Sequence, residues 1–376
     1  MNKILFSGYY GHDNFGDDMF VLISNLSSIK FWKNTNTKFF SKNGPEIDSV
    51  KINYTLPSKN KFKGYIKLKS YLEILKCDIF ILSGGSILHT KPNFFDPMRA
   101  VYFLSYLNLL KIGAIGISIG PFKTKEDEEY IQKILKNFKF LGLRDKNSFN
   151  FVNKLDLKCK PFLASDLAFT LPSVSEKKND STDNKEMIIG ISLCHFETYS
   201  NGDLSNERNR EEKIYKVLLS LSTNKNIKFR FFIINGNKKN GDSQITYEFI
   251  DKLDLDKNNY EVIEYSKNPI QIYNKIKECK MMLTIRLHGA IFSAVANIPS
   301  LLIEYHRKCS DYLDDIGIDK YWRIYDATVD EEEIIQKINQ LLKNKYEEFY
   351  PKRNELIRLS EKNFLDPSVI KVINGK

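Results

Sequence analysis

Short apolar runs, each leaving through a glycine or polar turn into a segment of helical spacing, recur along almost all of the 376 residues. This alternation constrains the fold more than any other feature. Runs at 3–7, 78–82, 114–119 and 140–143 precede a polar break, and runs at 187–193, 228–234, 260–263, 281–285 and 300–303 follow it. Strands that are apolar throughout, with helical segments between them, form parallel sheets covered on both faces. The break, Pro172 to Glu186, is charged and without periodicity, as an exposed linker would be. The pattern predicts an α/β protein of two doubly wound domains facing a cleft, at 1–172 and 187–345, joined by a linker at 173–186. A closing helix in 346–376 would pack back on the first domain.

The densest chemistry lies in 281–319. The apolar run 281–285 ends in Arg286, Leu287, His288 and Gly289, and an Ala-rich helical segment follows. Two more extended residues would place Arg286 and His288 on one face with Leu287 turned inward, and Gly289 would make the sharp turn. The helix amides would then face the same point, a natural anion site. Beyond the next run stand Glu304, Tyr305, His306 and Arg307, where open parallel sheets bind ligands.

Two further loops carry candidates. The first strand runs into GYYGHDNFGDD, where Gly8, Gly11 and Gly16 punctuate a loop holding His12, Asp13, Asn14, Asp17 and Asp18, and a helix is expected to start near Met19. The glycine spacing does not fit the dinucleotide fingerprint. The second loop, Ser83, Gly84, Gly85 and Ser86, is not followed by Gly-Lys-Ser/Thr, so an ATPase P-loop is not indicated. Asp166, set among apolar neighbours, reads as a hydrogen-bonded carboxylate. Cys194 and His195 lead from the first strand of the second domain into a long loop.

Hydrophobic residues at 42% and charged residues at 28% describe a globular chain, and the net charge of +10 comes from dispersed lysines rather than blocks. No Arg-rich, aromatic-interleaved patch argues for nucleic acid. Attraction to an anionic substrate or membrane surface remains open. The five cysteines are odd in number and nowhere spaced as metal pairs, which fits a reducing cytoplasm and no metal. Neither a signal peptide nor a membrane-spanning run is expected, so envelope chemistry would take place in the cytoplasm or at the inner face of the membrane.

Taken together, GYYGHDNFGDD, ILSGGSIL (81–88), ISIGPF (117–122) and TIRLHGAIFSAVANIP with the following EYHRKCSDYLDDIG resemble the polysaccharide pyruvyl transferase family from about residue 4 to about residue 317. The resemblance implies a GT-B-like architecture of two Rossmann-like domains. It also implies transfer of the enolpyruvyl part of phosphoenolpyruvate to a sugar, giving a cyclic pyruvate ketal, with no cofactor. The partners would be phosphoenolpyruvate and a glycan acceptor, free or lipid-linked. Arg286 and His288 would be donor-site residues, with the Gly8 to Asp18 loop and the Ser83 to Ser86 turn lining the cleft. Phosphoenolpyruvate needs two cationic anchors, which Arg286 with Arg307 or the helix N-terminus would supply. His288 is the candidate acid, and Glu304, Asp17 and His12 are candidate bases. Gly289, His306, Gly11, Asn14, Gly84, Gly85, Ser86 and His195 complete the expected binding surface. Many members of the family carry an arginine where Cys194 and His195 stand.

Two rivals share these residues. A nucleotide-sugar glycosyltransferase on the same fold would use Tyr265, Asn268 and Glu304, and a non-catalytic carbohydrate-binding protein would keep the cleft without the acid.

Overall fold

The computed structural model describes residues 1–59, 61–175, 187–200, 202–326, 328–344, 346 and 348–375. From position 176 the expected linker lies outside the described residues; positions 173 and 174 close the short helix Leu171–Val174. The chain divides into two compact units, one of residues 1–12, 17–177 and 354–376, the other of 13–16 and 178–353.

The first unit holds β1 (Ile4–Ser7), β2 (Thr37–Phe39), β3 (Ile79–Ser83), β4 (Ser86–Leu88), β5 (Lys111–Ile119), β6 (Leu141–Leu143) and β7 (Phe162–Leu163). Its seven strands run in the order β2-β1-β3-β5-β6-β7, with β4 paired to β5. All pairings are parallel, and Ile4 lies between Thr37 and Ile79. Every residue of β3 is buried, which is why it reads as an unbroken apolar run. The second unit holds β8 (Met187–Ser192), β9 (Ile227–Phe232), β10 (Tyr260–Ile263), β11 (Met281–Thr284), β12 (Ser300–Glu304) and β13 (Ile324–Tyr325), in the order β10-β9-β8-β11-β12-β13. Strand order reverses between β1 and β3 in one sheet and between β8 and β11 in the other. Such switch points open a crevice beyond the strand ends.

Several boundaries differ from the sequence expectation. The first helix is Phe15–Trp32, so Asp17 and Asp18 lie in its first turn, while Asn14 Oδ1 accepts the Gly16 amide at 3.0 Å. The helix Leu204–Ser222 starts where Asp203 caps it, accepting from Ser205 N at 2.9 Å. The closing helix is Arg353–Leu365, since Pro351 disfavours helical backbone at Tyr350. Its buried Asn363 accepts from Gly116 N at 2.7 Å and donates to Ser165 O at 3.1 Å, and the Trp32 indole donates to Phe364 O at 2.8 Å. These bonds tie the chain end to the first unit. Among the described residues no helix is long and apolar enough to cross a membrane.

Candidate active site

Three strand ends of the second unit carry the candidate chemistry. At the exit of β11, Arg286 is the N-cap residue of the helix Leu287–Ala296. Its Nε donates to Asp242 Oδ1 at 2.9 Å and Oδ2 at 3.2 Å, and its Nη2 also donates to Oδ1. Asp242 is fully buried and its Oδ2 accepts the Asn235 amide at 2.8 Å, so the carboxylate is fixed from behind. The Arg286 side chain stays 23% exposed. Burial works against its charge, but Cys194 and Asp242 beside it lift its pKa above the ordinary arginine value. A permanent cation held by its Nε–Nη2 edge is the result.

The extended continuation expected through His288 does not form. The helix begins at Leu287, which places His288 in its first turn and leaves Leu287 half-buried. Gly289 is therefore inside the helix rather than at the turn. Its missing side chain matters because a Cβ there would stand 2.5 Å from Thr284 Oγ1, the hydroxyl that donates to Arg286 O at 2.8 Å. Close approach of helix and strand, not a turn, requires glycine.

Residues 13–16 join this unit at the exit of β9. Asn14 bridges Asn235, Phe15 N donates to Ile234 O at 3.0 Å, and Gly236 N donates to Asp13 O at 2.8 Å. Phe15 packs on Phe292 with ring centroids 4.7 Å apart. Gly16 then lies against His288, where any Cβ would overlap the imidazole ring. Half of the glycine loop is thus brought to the Arg286 helix.

At the exit of β12, Glu304 is the last strand residue, and both its oxygens accept from Arg323, Oε1 at 2.9 Å. Its side chain is only 1% exposed, and both oxygens are engaged by the arginine. His306 caps the helix Arg307–Ile316, Nδ1 accepting from Lys308 N at 3.1 Å, and burial with Lys308 nearby lowers its pKa. Arg307 is 74% exposed and lies 3.6 Å from Asp311. A cavity of about 620 Å³ is lined by Glu304, Tyr305, Asp326, Glu197, Lys213 and Lys216, among others, and neither Arg286 nor His288 borders it.

At the exit of β8, burial pushes the Cys194 thiol up to about 12, so it is not a thiolate nucleophile. His195 Nδ1 lies 2.8 Å from Glu211 Oε1 and 3.4 Å from Glu207 Oε1, and the Glu211 carboxylate raises its pKa. Glu207 also accepts from the Phe196 amide at 2.6 Å and from Thr198. These three side chains are the described group able to hold a divalent cation, their ligand atoms lying within 4.8 Å of one another. Glu207 and Glu211 are four apart on the helix Leu204–Ser222 and so share one of its faces.

In the first unit, Gly11 lies against Ser41 and Asn43, and the exposed His12 ring stacks on Tyr9 at 4.2 Å. Gly84 packs on the Phe20 ring and, with Gly85, turns the chain between β3 and Ser86 of β4. Asp17 is 8% exposed, and burial followed by the neighbouring Asp18 charge raises its pKa to about 8. The upward shift favours its protonated form, which suits an acid better than a base. Arg144, just past β6, is not among the residues the sequence singled out. Its Nη1 donates to Asp166 Oδ2 at 2.6 Å, Nε to Ser118 Oγ at 2.8 Å and Nη2 to Ser86 Oγ at 3.4 Å. Asp166 also accepts from Ala168 N at 3.0 Å. Its position after a parallel strand was the available signal.

The sequence profile of one family, polysaccharide pyruvyl transferase, matches residues 14–307. No curated protein matches the chain by sequence. Among solved structures, UDP-GlcNAc 2-epimerase from Methanocaldococcus jannaschii has a TM-score of 0.61 at 12% identity, covering 100% of both chains. UDP-GlcNAc 2-epimerase from Neisseria meningitidis, bound to UDP-GlcNAc, has a TM-score of 0.57 at 12% identity over 100% of this chain and 99% of that one. Anabaena HepE in complex with UDP-glucose has a TM-score of 0.52 at 9% identity over 99% and 97%. At these identities the likeness is one of fold: two Rossmann-like α/β units of the GT-B type.

Proposed function

Because this chain belongs to the polysaccharide pyruvyl transferase family, we propose that it transfers the pyruvyl group of phosphoenolpyruvate to a sugar of a cell-surface polysaccharide or its lipid-linked precursor. The product is a pyruvate ketal. The observation that carries this reading is the pairing of Arg286, pinned along one edge by buried Asp242, with the N-terminus of the helix Leu287–Ala296. Phosphoenolpyruvate has two anionic ends. The Nη1 edge of Arg286 suits one of them, and the first-turn amides suit the other. Arg307 is the weaker second anchor, being highly exposed and facing Asp311.

His288, in that same first turn, is the acid that protonates the methylene carbon. One sugar hydroxyl attacks the resulting oxocarbenium-like carbon, phosphate leaves, and a second hydroxyl closes the ring. Of the two hydroxyl protons lost, one balances the proton added to carbon and the other leaves with phosphate. No step requires a metal or an organic cofactor.

A nucleotide-sugar donor is the second reading, favoured by the cavity beside Glu304 and Tyr305, whose carboxylates suit the hydroxyls of a ribose or sugar. The test uses phosphoenolpyruvate labelled in its pyruvyl carbons and polymer precursor from the source cell. Acid-labile label in the polymer with one phosphate released per pyruvyl group supports pyruvyl transfer. Sugar transfer from a nucleotide donor, without such label, supports the second reading.

A further inference from the structure

One surface of the first unit is unlike the rest of the molecule. Ten of the twenty large apolar side chains exposed among the described residues fall between positions 62 and 109. Leu68, Leu72 and Leu75 lie on the helix Tyr65–Lys76 at spacings of four and three, so they share one face, and that face is outward. The helix buries Ser70, Glu73 and Ile74 instead. Its apolar stripe therefore has no core to serve. The adjacent helix Pro97–Tyr106 adds Phe103 and Tyr106 and runs on to Leu109, while Phe94 and Phe95 in the preceding loop are 76% and 68% exposed.

The phenylalanine loop lies against the helix Tyr65–Lys76. Lys67 Nζ lies 4.4 Å from the centroid of the Phe95 ring, the Tyr71 hydroxyl donates to Phe95 O at 3.4 Å, and the rings of Phe94 and Phe95 are 5.2 Å apart. Lysines crowd this segment: Lys59, Lys61, Lys63, Lys67, Lys69 and Lys76 all precede or lie on the helix Tyr65–Lys76. The acid among them, Glu73, is buried and already faces Lys38, Lys69 and Lys76.

We propose that this face docks on the surface of an anionic phospholipid bilayer, with the leucines and phenylalanines entering the headgroup region and the lysines lying among the phosphates. Composition selects lipid over protein. Protein interfaces are depleted in lysine and enriched in arginine, whereas aromatic and leucine side chains accompanied by lysine are what an interfacial membrane segment presents. The lysine stems cover apolar surface while their charged heads reach outward, so both parts of the patch engage together. The face adsorbs and does not span, in keeping with the absence of a membrane-crossing helix among the described residues. The inference holds whichever donor the enzyme uses.

The test is co-sedimentation of the full chain, without substrate, with vesicles of phosphatidylcholine alone or mixed equally with phosphatidylglycerol. Variants are Phe94→Ser with Phe95→Ser, Leu109→Ser, and Lys61→Glu with Lys63→Glu. All of these positions are exposed, and gel filtration with circular dichroism confirms their folding. Binding to the anionic vesicles at least about tenfold tighter than to the neutral ones, weakened by both the apolar and the lysine substitutions, is the expected result. Failure of the wild type to sediment with either vesicle overturns the proposal. So does binding that salt and the lysine changes abolish but the apolar changes leave intact, which would be nonspecific charge attraction. A wild-type dimer that Phe95→Ser converts to monomer, without vesicle binding, would assign the face to a second copy of the chain.

Discussion

Gly16 and His288 occupy adjoining space: the glycine has no side chain where the imidazole ring sits, and a methyl group there would overlap the ring. Two segments far apart in sequence therefore depend on each other for the position of one candidate acid.

Gly16→Ala should displace His288 rather than unfold the protein. A destabilisation of about 1–3 kcal/mol is expected from overpacking, with a fall in kcat at nearly constant phosphoenolpyruvate affinity. Steady-state kinetics check this, and an unchanged kcat would remove His288 from the chemistry.

Asp242→Ala should be severe. It leaves the guanidinium of Arg286 without its partner and the buried Asn235 amide without its acceptor. Breaking a buried pair from one side costs about 3–5 kcal/mol. Urea denaturation checks the stability loss, and calorimetry with phosphoenolpyruvate should show weaker donor binding in whatever fraction remains folded.

Glu304→Gln separates two roles for one carboxylate. Because Arg323 takes both oxygens, the substitution should lower the melting temperature while leaving the shape of the pH–rate profile unchanged. Loss of the basic limb of that profile would restore Glu304 as a base.

Asp17 makes stability depend on pH. Its folded pKa of about 8 lies above the ordinary 3.8, so the folded state holds a proton that the unfolded state has released between those values. Its contribution is complete below the lower value and is lost as pH rises through the upper one, at about 1.4 kcal/mol per pH unit. Asp17→Asn should flatten urea stability measured between about pH 5 and pH 7. An equal slope in both proteins would mean that Asp17 is ionised when folded.

The parallel sheets were legible because buried strands such as β3 are apolar at every position. The two-residue strands β7 and β13 were not, since two residues carry no period. Arg286 and His288 stood out as charged groups after an apolar run, yet their geometry was misread. Period alone does not say where extended backbone yields to helix, and Gly289 suggested a turn when its role is helix-to-strand contact. Asp242 was invisible because its partner lies 44 positions away. Glu207 and Glu211 carry no signal in the sequence, because their partner His195 lies on a different element. The exposed face of the helix Tyr65–Lys76 sat in a segment whose weak periodicity hid it, its leucines pointing away from the core.

The most direct test of the donor assignment is thermal unfolding of the wild type and of Arg286→Lys with phosphoenolpyruvate or a panel of UDP-sugars. Lysine keeps the charge but cannot bond Asp242 along one edge while offering another to an anion. A rise in melting temperature with phosphoenolpyruvate, absent in the variant and absent with every UDP-sugar, is the predicted result. A rise with a UDP-sugar and none with phosphoenolpyruvate would contradict the account and assign this fold a nucleotide-sugar donor.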